Sequence, residues 1–280
     1  MAITAKLIKE LREKTHAGIM DCKRALTECN GDFAEAEKKL KEMGLAAVAK
    51  RADRSTDFGR ITIKKTDKKL VLVEVTCETD FVAANQQFAK LGEDICELAI
   101  EKGYTEVTDD MNDLAKTLIA TINENMIIKS FFVMDIPSDS YISTYIHGEG
   151  SIGTAVEFTS TEPNDFKVPA FKEFAFQCAL HVTAADPQFV SDKDVPKDFE
   201  NEQIEIFTKQ VEAMDKPEKI KKGIVRGKLS KYYKEICLND QLFALNNPDN
   251  LTFGKMLAAF NKANSTKISV KSYKRLRAGA

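Results

Sequence analysis

Few residues in this chain could carry chemistry, and their spacing decides what kind. Cys178 and His181 stand three apart on one apolar, helix-like run, the only arrangement that imitates a thiol–imidazole hydrolase. On such a run the pair reads as a packed thiol beside a buried or edge imidazole. The three His, at 16, 147 and 181, have no second His or Cys at zinc-ligand spacing, so no metal or other cofactor is expected. Gly148-Glu149-Gly150 with Gly153 is a hairpin turn and not a phosphate cradle, and no Gly-rich nucleotide motif occurs. No carboxylate pair sits in an apolar setting suited to acid–base work. An enzyme is not expected. What remains is Cys77-Glu78-Thr79-Asp80-Phe81-Val82-Ala83-Ala84-Asn85. Here an acid and a large aromatic adjoin where a strand-like run gives way to a helix-like one. Such a corner can hold both side chains outward as a wedge; Asp80 as an ordinary cap and Phe81 as ordinary core is the plainer alternative.

Composition narrows the setting. The 280 residues are 43% hydrophobic and 30% charged with net charge −2, a globular balance without a field that would drive the chain onto nucleic acid or anionic lipid. Six Cys without a C-x-x-C pair read as reduced thiols in a reducing compartment. No run of 18 apolar residues exists, so no membrane span is expected. Residues 1–14 are mixed-charge and amphipathic, unlike a signal peptide, and the cytoplasm is the expected location.

The elements that must position the corner follow from periodicity. Residues 1–55 read as three short helices of ubiquitin-associated type. Thr4 caps the first, Asn30-Gly31 ends the second, and Asp32 with Glu35 starts a third that stops at Gly44. A basic linker or fraying helix follows over 46–60. The period then changes to two. Strands over 60–65 and 69–77 form a hairpin, and the second is apolar enough to lie inside a covered sheet. A helix runs from the 79–81 corner to about 102, followed by a helix over 113–122 and a strand over 126–134. The order β-β-α-α-β recurs after 141, with a helix over 169–185, one near 252–262 and a last strand over 267–273. Inserted at about 196–237 is an antiparallel helical hairpin, turned at Asp215-Lys216-Pro217. Its second arm shows a basic face (Lys219, Lys221, Lys222, Arg226, Lys228, Lys231, Lys234), which reads first as a solvated face. The fold class is therefore α+β: a small helical domain (1–55) and a duplicated core in two subdomains, 56–140 and 141–280.

These stretches resemble the bacterial elongation factor Ts family. Leu11-Arg12-Glu13-Lys14-Thr15-His16-Ala17-Gly18-Ile19-Met20-Asp21-Cys22-Lys23-Arg24-Ala25-Leu26 is similar to its first signature, and Glu78-Thr79-Asp80-Phe81-Val82-Ala83 to its second. Weaker likeness continues through His181-Val182-Thr183-Ala184-Ala185-Asp186-Pro187 to Val225-Arg226-Gly227-Lys228-Leu229, so almost the whole chain is covered. The resemblance implies a guanine nucleotide exchange factor for elongation factor Tu that binds no nucleotide itself and admits assembly of two Ts with two Tu chains. It implies that Asp80 and Phe81, flanked by Thr79 and Val82, intrude beside the nucleotide and magnesium site of Tu. It further implies Tu contacts from Arg12, Met20 and Lys23, from Lys50 and Arg51 near the linker, from Ile122 and Asn123, and from His147. Some positions depart from the family pattern. His16 and Asn123 stand where Gly is common, Leu242 stands where Pro is usual, and the chain reaches Ala280 where some members carry a further helix. The competing expectation is an RNA- or ribosome-associated scaffold that uses the basic hairpin face.

Overall fold

The computed structural model describes residues 3–15 and 17–280, with the backbone alone for 45–47 and 163. His16, and with it the departure in the first signature, lies outside the described residues. The chain divides into two compact units. The first comprises Met1–Asp135, Ile146–Gly153 and Leu276–Ala280; the second comprises Ile136–Tyr145 and Thr154–Arg275.

The first unit opens with helices α1 (Ala5–Thr15), α2 (Ile19–Glu28) and α3 (Phe33–Ala49). Thr4 Oγ1 accepts the Leu7 N–H at 3.2 Å, a side-chain cap of the expected kind. Leu11, Cys22, Ala25, Leu26, Ala36 and Leu40 form the small core between the three helices. One boundary differs from the sequence reading: α3 passes through Gly44 and ends at Ala49. A Cβ at 44 would lie 3.0 Å from the Ala120 Cβ, so this glycine permits close helix approach and does not cap.

Strands β1 (Phe58–Lys65), β2 (Lys69–Cys77) and β3 (Met126–Asp135) form an antiparallel sheet in the order β1-β2-β3, with a bulge between Glu74 and Val75. The apolar run of β2 is central, as its composition predicts. Val71, Val73 and Val75 pack with Phe88, Leu91, Ile95, Met111 and Ile119. The last five side chains named belong to helices α5 (Gln86–Lys102) and α6 (Asp109–Ile122). Glu74 is the one acid buried in β2; its carboxylate accepts from Ser130 Oγ at 2.8 Å and from the Gly279 N–H at 3.1 Å.

In the second half, β4 (Ser140–His147), β5 (Ile152–Thr159) and β6 (Ser269–Arg277) make a sheet ordered β4-β5-β6. The second strand is central in both sheets, so the duplication extends from element order to strand order. Helices α7 (Phe171–Ala185) and α10 (Phe253–Asn264) close an aromatic-rich core, in which Phe174 and Phe260 stack at 4.3 Å. Between them stand α8 (Lys197–Glu212) and α9 (Glu218–Ile236). Lys221 Nζ donates to the Glu212 carbonyl, Lys228 Nζ to Gln210 and the Tyr233 hydroxyl to Glu200, a ladder of partners that makes the pair antiparallel. Lys221 and Lys228 therefore turn toward α8, and the basic outer face is narrower than the sequence implies.

Candidate partner-docking site

The corner after β2 is built by side chains that satisfy backbone groups at a sharp turn. Thr79 is the N-cap of a single turn of helix, α4 (Asp80–Ala83), and its hydroxyl accepts the Val82 N–H. Asn85 caps α5 separately by accepting from Gln87 at 2.7 Å. The sequence reading ran one helix from the corner to about 102. The chain instead breaks at Ala84-Asn85, because the Asn85 side chain offers the backbone an alternative to helical pairing. The break leaves α4 as a short projecting turn.

Neighbouring side chains on that turn have opposite environments. Phe81 is 83% exposed and Val82 is 7% exposed, packed in the core of the sheet. Asp80 is exposed, and its Oδ1 accepts the Phe81 N–H at 3.0 Å. Val82, expected among the partner contacts, is instead an anchor packed in the core beneath the turn. Phe81 is the most exposed large apolar side chain among the described residues, and it is held there by an ordered turn.

The brace under the corner comes from residues to which the sequence reading assigned no role. Glu124 accepts from both the Thr79 N–H (3.1 Å) and the Thr79 hydroxyl (2.8 Å). In return Glu78 accepts the Asn125 N–H at 2.6 Å, and Arg54 pairs with Glu78 at 3.3 Å. Asn125 Nδ2 donates to the Arg54 carbonyl at 2.9 Å. The Cys77 thiol donates to the Thr79 carbonyl at 3.2 Å, and burial, reinforced by Glu124, pushes its pKa up to about 12, so it stays protonated. Only the unusual density of polar residues at two turns, 78–80 and 123–125, hints at this in the sequence.

The other expected contacts fall in distinct places. Arg12, Met20 and Lys23 are exposed on the three-helix domain, where Met20 (73% exposed) and Ile19 (53%) form an apolar spot. Lys50 is exposed. Arg51 is half-buried and donates to the carbonyl and to the side-chain oxygen of Asn123, at 3.0 and 3.1 Å. Asn123 ends α6 with φ 69°, so Asn takes the left-handed position that Gly would fill without strain. Ile122 is partly buried against the sheet core, and His147 is exposed at the end of β4.

The Cys178–His181 alternative does not survive the geometry. Cys178 is fully buried, and burial drives its pKa upward. His181 Nδ1 accepts the Ala244 N–H at 3.1 Å, which leaves the proton on Nε2 to meet Gln241 Oε1 at 3.2 Å. Both ring nitrogens serve packing. Among the described residues no group of three or more His, Cys, Asp or Glu could hold a metal ion, and no helix is long and apolar enough to cross a membrane.

Comparison with known proteins gives first the class, a translation elongation factor: the family model described as elongation factor TS matches residues 78–280. Elongation factor Ts of Treponema denticola is 45% identical over 262 residues, covering 94% of this chain and 93% of its own length. That of Borreliella burgdorferi is 41% identical over 278 residues, covering 99% of each. That of Treponema pallidum is 39% identical over 269 residues, covering 92% of each. The chain belongs to the elongation factor Ts family.

Proposed function

We propose that this chain is the guanine nucleotide exchange factor for an elongation factor Tu partner in the cytoplasm, with Asp80 and Phe81 as the intruding pair. The observation that carries the reading is Phe81, 83% exposed on a turn whose next residue is locked in the core. Arg12, Met20, Lys23, Lys50, Arg51, Ile122, Asn123 and His147 supply further Tu contacts, with residues 1–55, 56–140 and 141–280 as separate gripping segments. The factor uses no cofactor and does not bind the nucleotide; two factor chains can join two Tu chains.

Exchange is reciprocal: a factor that weakens nucleotide binding to Tu must itself be weakened by nucleotide in the same ratio. Burying one Phe supplies about 1.5–3 kcal/mol, which is about two decades of affinity at most. Larger coupling requires a broad anchoring interface, on the order of 1,600 Å². The spread of proposed contacts from residue 12 to residue 147, with Arg12, Met20, Lys23, Lys50, Phe81 and His147 exposed, supports such an interface, and the corner converts docking energy into local distortion of the nucleotide site.

The test is release of GDP from preloaded elongation factor Tu. Wild type accelerates release. Phe81→Ala loses about ten- to a hundredfold of the second-order rate, and Asp80→Ala loses part of it. A wild-type protein no faster than buffer ends the reading.

A further inference from the structure

We propose that Glu124 is a positioning residue for the exposed corner, holding Phe81 in its projecting geometry through Thr79; the inference rests on the exchange reading above. Three observations carry it. First, the two turns are clasped by reciprocal bonds: the Glu124 carboxylate takes the Thr79 N–H, and the Glu78 carboxylate takes the Asn125 N–H. Neither turn can shift without stranding a donor on the other. Second, the Thr79 hydroxyl has one proton, and Glu124 Oε1 receives it at 2.8 Å. The hydroxyl lone pairs are thereby turned toward the Val82 N–H, which closes the cap of α4. Third, both Thr79 donors converge on one carboxylate. Gln at 124 has the same shape but one acceptor oxygen, so one of the two Thr79 protons loses its acceptor.

The clasp also reaches the linker after α3. Arg54 pairs with Glu78, Asn125 Nδ2 donates to the Arg54 carbonyl, and Arg51 holds Asn123. Glu124 is thus the central link of a chain running from the linker to the projecting turn. Its carboxylate is occupied by Thr79, so its effect on exchange is through the placement of Phe81.

The experiment compares wild type, Glu124→Gln, Thr79→Val and the double variant in two assays. In the first, amide hydrogen exchange of the protein alone is followed at Val82 and at Ile95 in α5. Glu124→Gln is expected to speed exchange at Val82 about tenfold and to leave Ile95 unchanged. In the second, GDP release from elongation factor Tu is titrated with each protein. The expected result is a maximal rate about tenfold lower in Glu124→Gln, with half-saturating concentration within about twofold of wild type. Thr79→Val should behave alike, and the double variant should be little worse than either single one, because both break one path. An unchanged maximal rate in Glu124→Gln overturns the proposal. So does a rate loss matched by a rise in half-saturation and by lost protection at Ile95, which marks general destabilisation. Should wild type itself fail to release GDP, the exchange reading falls; equal Val82 protection in wild type and Glu124→Gln then separately overturns the clasp.

Discussion

Phe81 and Val82 adjoin in the chain, yet one side chain faces water and the other fills the sheet core. A single helical turn rotates successive residues by about 100°, so an anchor and a tip can be neighbours without strain. At the same scale, His181 shows how an imidazole is made inert. Burial lowers its pKa below 6.5, with the Gln241 contact partly opposing, so the folded state holds the ring neutral. Below pH 6.5 the unfolded chain takes up a proton that the folded chain does not, and stability falls as pH falls through that value. The urea midpoint is therefore expected to drop between about pH 7 and 5.5. His181→Gln should shrink that drop, while costing about 1–3 kcal/mol at pH 7 through altered pairing with Ala244 and Gln241. Equal pH slopes in the two proteins contradict the assignment.

At the scale of elements, two glycines are governed by their neighbours more than by their own helices. Gly44 lies inside α3 against Ala120, and Gly92 lies inside α5 against Thr62 of β1. Helix propensity alone favours Ala over Gly by about 1 kcal/mol. A Cβ at 92, however, would sit 2.3 Å from Thr62 Oγ1 and 3.1 Å from Thr62 Cβ, so the Thr62 side chain or α5 itself must give way. Gly92→Ala is expected to destabilise the first unit by about 1–3 kcal/mol net, read as a lower denaturation midpoint. A gain in stability would show that the helix–sheet contact yields more easily than the geometry implies. The same principle explains why the sequence reading ended α3 at Gly44. A glycine marks either a helix end or a close approach, and spacing along one chain does not distinguish them. Asn85 was equally ambiguous: its cap splits α4 from α5, whereas apolar periodicity alone continues across it.

For the whole molecule, the near-neutral charge separates two modes of binding. On the exchange reading, half-saturation with elongation factor Tu should change less than about threefold between about 50 and 200 mM salt. An RNA-binding surface making several phosphate contacts would lose about 10³ or more over the same range. A steep salt slope for Tu-dependent release would move the working surface to the basic α9, although Lys221 and Lys228 there already serve α8.

Much of the architecture is legible in the sequence. The apolar run Leu70–Val75 demanded a central strand, and the shift from 3.6-residue to two-residue period marked where helices give way to strands. Asp80 and Phe81 stood out because an acid and an aromatic meet at a strand–helix corner. These features depend on local periodicity and on residue type, which a linear chain displays directly. The brace of the corner was not legible. Glu78 and Asn125 lie 47 residues apart, Thr79 and Glu124 lie 45 apart, and Arg51 meets Asn123 across 72 residues. Which side of Val82 is buried, whether Gly44 ends a helix, and which carboxylate holds Thr79 all turn on groups brought together through space; only packing of distant segments decides them.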